Sequence, residues 1–189
     1  MMLKRLFSRL FRPSPEQKLA YEIYGRAVTW ARSSLFYSEA GVEDSLDGRF
    51  DMILLHMYIL LHQLRQTPET SGLQQAVQEA MVADMDRTLR ELGVGDMSVG
   101  KQVKNMAAAW LGRSKAFDTA LESELENDLE DAIARNIYRF SGEGEAPLHA
   151  ATMARYMKQC MAALQGESGA ALAQLPDDWP VTRWQQQKA

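Results

Sequence analysis

Apolar residues recur at helical spacing along almost the whole chain. Leu19, Ile23, Ala27 and Trp30 fall on one face, as do Val77, Met81, Met85, Leu89 and Leu92. Val99, Val103, Met106, Ala107 and Trp110 form another such stripe. In Phe117, Leu121, Leu125, Leu129, Ile133 and Ile137 the acids lie between the apolar positions and read as a solvated face. MILLHMYILL, Met52 to Leu61, is apolar around most of a helix and predicts a buried central element. There is no internal repeat and no alternating β-branched run. The pattern predicts an all-α, single-domain bundle of about seven helices.

Punctuation residues set the expected boundaries. Ser14 as N-cap and Pro15 at the first helical position start a helix that ends near Ser33. A loop with Gly41 and Gly48 follows, and Asp47 or Gly48 opens the central helix, from about Arg49 to Arg65. Thr67-Pro68 breaks it, and the next helix runs from Ser71 to Leu92. Gly112 closes the helix after that, and Ser114 caps a long one reaching Ile137. SGEGEAP is a linker, followed by helices over Leu148–Leu164 and Ser168–Leu175. The expected organisation is a basic N-terminal segment (1–13), a helical domain (14–175) and an irregular tail (176–189) with two prolines and two tryptophans.

The first segment, MMLKRLFSRLFRP, places Leu3, Leu6, Phe7, Leu10 and Phe11 on one helical face, flanked by Lys4, Arg5, Arg9 and Arg12. A helix of this kind can lie in a membrane interface, with each cation adding about 1 kcal/mol near an anionic leaflet. Packing on the domain and a cleaved organelle-targeting peptide are the alternatives. No stretch reaches the roughly 20 apolar residues that span a bilayer, and no secretory signal peptide is evident.

GVGDMSVGKQVK, residues 93–104, fits the phosphate-loop spacing G-x-x-x-x-G-K from Gly95. The preceding VADMDRTLREL is helical where that loop needs a strand, and Gln102 cannot supply the hydroxyl that binds Mg²⁺. A helix–turn–helix corner explains the string better. Gly93 ends one helix, and Asp96 or Ser98 caps the next. Arg87 and Arg90 before the turn, and Lys101, Lys104 and Arg113 after it, make the corner a candidate partner-binding surface together with Gly93, Gly95 and Asp96. A DNA reader would need an Arg/Asn/Gln-rich second helix, and this one is rich in Ala and Met, so DNA is not expected.

Other chemistry is sparse. Net charge is −4, so a general affinity for nucleic acid is absent. Cys160 is the only cysteine, which excludes an internal disulfide and a cysteine-based zinc site. His56 and His62, six apart, point to different helix faces and make a poor metal pair. No catalytic, metal or cofactor site is predicted. The eleven methionines exceed what a simple core needs, leaving core filling or an adaptable groove as their role.

Two strings carry a resemblance. YGRAVTWARSSLFYSEAGVEDSLDGRFDMILLH (24–56) and DMDRTLRELGVGDMSVGKQVKNMAAAWLGR (84–113) are similar to the ubiquinol–cytochrome c chaperone family, the cytochrome b assembly factors of mitochondria and their alphaproteobacterial relatives. The chain departs at Gly100, where the family pattern has proline. The resemblance implies an all-helical, non-enzymatic protein without cofactor that holds newly made cytochrome b before the cytochrome bc1 complex is built. It also implies a ribosome or a small partner protein as further candidates, while the basic N-terminal segment makes an anionic membrane surface an expected partner. The expected location is cytoplasmic, peripheral to the inner membrane, or on the matrix side in a mitochondrion. A helical lipid- or quinone-binding protein or enzyme, and a nucleic-acid or ribosome-binding module, are the competing readings.

Overall fold

Ser14 begins the first helix as its sequence predicts. Its hydroxyl accepts from the Gln17 amide at 3.1 Å, and its own amide donates to the Gln17 side chain at 2.8 Å. That helix, α1 (Pro15–Ala31), opens a computed structural model that describes residues 13–125, 127–141 and 148–186. The membrane-contact candidates Leu3 to Arg12 lie outside the described residues, as do 142–147 of the glycine-rich linker. Short α2 (Leu35–Ser38) follows, then α3 (Leu46–Arg65), a 3₁₀ turn (Pro68–Thr70), α4 (Ser71–Glu91) and α5 (Asp96–Glu122). The chain continues through α6 (Asp128–Asn136), α7 (His149–Ala163), α8 (Gly169–Ala173) and α9 (Trp179–Gln186). No strand occurs among the described residues.

The central helix is α3. Every residue from Leu54 to Leu61 is buried, and α1, α4, α5 and α7 pack around it. Its cap differs from the expectation. Ser45, not Asp47 or Gly48, accepts the Gly48 amide at 3.1 Å, so the helix starts at Leu46. Gly48 serves another purpose: a Cβ there would stand 2.0 Å from the Glu43 carbonyl oxygen. Most methionines fill the core, among them Met52, Met57, Met81, Met153 and Met157, while Met97 is fully exposed.

Three further boundaries move. Gly112 and Ser114 do not separate two helices, because α5 runs through both. Val99, Trp110 and Phe117 stay on one buried stripe across them, and that burial outweighs a local stop signal. The expected long helix instead breaks after Glu122 and resumes at Asp128. An i, i+4 stripe drifts about 40° per step on an ideal helix, so the positions from Phe117 to Ile137 could not share one side of a straight rod. The break leaves Leu125 exposed and lets Leu129, Ile133 and Ile137 re-enter the core. Asp128, Glu130 and Asp131 then sit in the first turn of α6, where the helix dipole favours acids. Finally, the tail expected to be irregular forms α9. Pro180 lies in the first turn, where proline is tolerated, and Trp179 and Trp184 are buried.

These tryptophans complete an aromatic centre. Trp179 stacks on Trp30 at 4.9 Å, and Trp184 meets Phe36 and Tyr156 edge-on. His56 lies inside, its Nδ1 2.8 Å from the Met52 carbonyl and its Nε2 2.8 Å from the Tyr156 hydroxyl. Since a carbonyl only accepts, Nδ1 carries the proton and Nε2 accepts from tyrosine. Burial pushes the imidazole pKa down to about 4 from 6.5. The unfolded chain therefore gains a proton near pH 6.5, while the folded chain resists until about pH 4. Relative to His56→Gln, the wild type is expected to lose roughly 3 kcal/mol as pH falls from about 7 to about 4. Urea denaturation of both proteins across that range measures it, and a constant gap between them would exclude it.

Candidate functional site

The turn at residues 92–95 is closed by its own backbone. The Gly93 amide donates to the Arg90 carbonyl and the Val94 amide to the Leu89 carbonyl, both at 3.0 Å. Gly93 holds φ +80, and a Cβ there would meet nothing within 4 Å. Glycine is required by conformation, not by space. Gly95 takes the N-cap position of α5 with no side-chain cap bond, so the capping expected of Asp96 or Ser98 does not occur. Asp96 lies one residue later, in the first turn, and is held by Arg90 across the corner. Arg90 also binds Asp86 at 2.7 Å, lacing the end of α4 to the start of α5.

The candidate cations separate into three groups. Arg87 and Arg90 are exposed but already engage acids, Arg87 pairing with Asp84. Lys101 and Lys104 project from α5 with no ion pair among the described residues. Arg113 is not on the surface of the corner. Its guanidinium turns inward, Nη2 2.6 Å from Oδ1 of buried Asp51, and Arg139 Nη2 lies 2.7 Å from Oδ2. Burial still pushes the Asp51 carboxyl up to about 6, so desolvation outweighs both arginines. An aspartate entering an otherwise apolar helix was the sequence signal that such a partner must exist.

Two open grooves flank α4. One, of about 340 Å³, lies between α1 and α4 and is lined by Tyr21, Tyr24, Val28, Arg32, Asp84 and Arg87, among others. The other, of about 620 Å³, lies between α4 and α5, with Gln75, Gln78, Glu79, Val82, Asp86 and Val103 along it. Ala83 borders both, making α4 a low ridge between them. Tyr24 fixes the first groove by donating to Asp84 at 2.7 Å, and burial and that carboxylate raise its pKa well above the usual range. Trp110 fixes the second by donating to Gln78 at 3.1 Å. The helical stripes did not reveal these grooves. Tyr21 and Val28, two turns apart and off the core stripe of α1, were the available hint.

Cys160 is buried and its thiol is pushed up to about 12, which leaves it without nucleophilic thiolate. No cluster of three metal-ligating side chains occurs among the described residues, and no helix there is long and apolar enough to cross a membrane.

The two strings that carry the resemblance are hydrogen-bonded to each other through Tyr24–Asp84 and Asp51–Arg113. The family model described as ubiquinol-cytochrome C chaperone matches residues 38–179. The chain belongs to this family. The crystal structure of the Cbp3 homolog from Brucella abortus is similar to the chaperone at a TM-score of 0.71 and 30% identity, covering 95% of this chain and 99% of that one. A search of the curated proteins finds no match. In the chaperone, Gly48 and Asp51 of the D-G-R-F-D string are framework, and Arg49 makes an exposed pair. Gly48 admits the Glu43 carbonyl, Arg49 pairs with Asp44 at 2.6 Å, and Asp51 anchors α5 and the segment after α6.

Proposed function

We propose that this chaperone is non-enzymatic and holds newly made cytochrome b at the membrane while the cytochrome bc1 complex is assembled. The observation that carries the reading is family membership together with the grooved α1–α4–α5 face. Open grooves of mixed lining, with Tyr21 and Val28 beside Arg32 and Asp84 in one and Val82 and Val103 beside Gln78 and Asp86 in the other, suit an amphipathic segment of a client better than a small molecule. The N-terminal segment, with its Leu and Phe face and four cations, is proposed to keep the protein on the cytoplasmic face of the inner membrane. A ribosome or a small partner protein is the further candidate for the corner, where Lys101 and Lys104 have no ion pair among the described residues while Arg87 and Arg90 already hold acids.

Deleting the gene is expected to lower assembled bc1 complex and its b-type haem absorbance. A photo-crosslinking side chain at Val82 or Ala83 should capture cytochrome b in the strain's own membranes. Normal bc1 content in the deletion strain would sink the proposal.

A further inference from the structure

Helix α5 is about 40 Å long, yet only Val99, Trp110 and Phe117 of its 27 residues are buried. Its opposite side carries Met97, Lys101, Lys104, Ala108, Leu111 and Lys115, spaced alternately four and three apart, so they form one straight stripe. All six are exposed, Met97 fully and Leu111 to 64%. From residue 97 to residue 117 there is no acid, in a chain whose net charge is −4. The acids that bound this stretch are already neutralised, Asp96 by Arg90 and Asp118 by Arg65. The three lysines have no ion pair among the described residues, whereas the arginines of the adjoining α4 do.

We propose that this outer face of α5 docks on an anionic lipid surface. A straight convex stripe lies tangent to a flat partner. Lysines on flexible stems reach lipid phosphates while Met97 and Leu111 enter the interface between them. RNA fits the same stripe less well, because it offers no aromatic ring for base stacking and no unpaired arginine fork. An acidic helix would meet a seam half filled with lysine. The proposal deepens the membrane part of the function given above, but it rests on α5 alone and stands or falls apart from the N-terminal segment.

The test uses the full-length protein and phosphatidylcholine vesicles with or without phosphatidylglycerol. Lys101→Glu, Lys104→Glu and Lys115→Glu combined should weaken partition onto the anionic vesicles roughly 100-fold, about fivefold per lysine. Neutral vesicles should show no such change. Cys160 is buried, so a Met97→Cys variant takes a polarity-sensitive dye at one place. Its emission should shift to the blue on anionic vesicles, and not when the three lysines are reversed. An unshifted dye, or unchanged partition of the lysine variant, overturns the proposal. So does loss of binding to an RNA homopolymer or polyglutamate with vesicle binding intact. If instead only a variant with Lys4, Arg5, Arg9 and Arg12 reversed leaves the vesicles, α5 is not the dock and the N-terminal attachment stands.

Discussion

Arg113→Ala is expected to cost about 3 kcal/mol of stability, near the low end of what breaking a buried ion pair costs, because Arg139 still reaches Asp51. The loss comes from Asp51, which stays buried with one cation fewer. Two companion measurements separate this from a lost surface contact. Asp51→Asn in the Arg113→Ala background should recover much of the stability, since a neutral amide is far cheaper to bury than a carboxylate. The deficit should also shrink with acid. The Asp51 carboxyl already titrates at about 6 in the folded protein against 3.8 unfolded, and losing Arg113 moves it higher still. A folded acid with a raised pKa carries its penalty above that pKa and loses it on protonation. Denaturant midpoints for both proteins should therefore converge as pH falls from about 7 toward about 5. A deficit that does not change with pH would mean that Arg113 acts through packing alone.

Trp184→Ala is expected to cost more, about 3–5 kcal/mol, the range for emptying a buried aromatic site. Trp184 is 1% exposed and closes the aromatic centre against Phe36 and Tyr156. Its indole N–H finds no acceptor among the described residues, so the ring contributes through packing. Trp184→Phe should accordingly retain most of the stability. Equal losses in the two variants would show that an unseen polar partner, not the ring, holds α9 in place. The segment before α9 is tied down separately: Trp30 donates to the Pro176 carbonyl at 3.0 Å, and Arg26 binds the Leu175 carbonyl and Asp177. Thermal melts of the alanine variant should show one lowered transition if α9 belongs to the same cooperative unit as the core.

Both predictions concern residues whose roles could not be read along the chain. Asp51 and Arg113 are 62 positions apart, and the signs of their charges alone do not say that they meet. Arg113 follows Lys101 and Lys104 in a basic run, so a linear reading groups it with them. Only the rotation of α5 about Val99, Trp110 and Phe117 turns it inward. The tail misled for a related reason. Two prolines and several polar residues signal irregular chain locally, while the stacking of Trp179 on Trp30 and the burial of Trp184 are supplied by α1, α2 and α7.

What the sequence determined by itself is local. Ser14, Pro15, Gln17, Gly93 and the apolar stripes specify where α1 and α4 begin or end and which faces they bury, because caps, left-handed turns and 3.6-residue periodicity act within a few positions. The buried central helix was legible from its uninterrupted apolar composition, and the family from two strings. The tertiary structure decided the rest: the fusion of α5 through Gly112, the break before α6, the helical tail, and the division of one basic run into a buried ion pair, a laced corner and an exposed lysine stripe. Each of these is settled by which surfaces neighbouring helices can cover. Burial and charge pairing join residues tens of positions apart, and their free energies outweigh the local preferences that sequence displays.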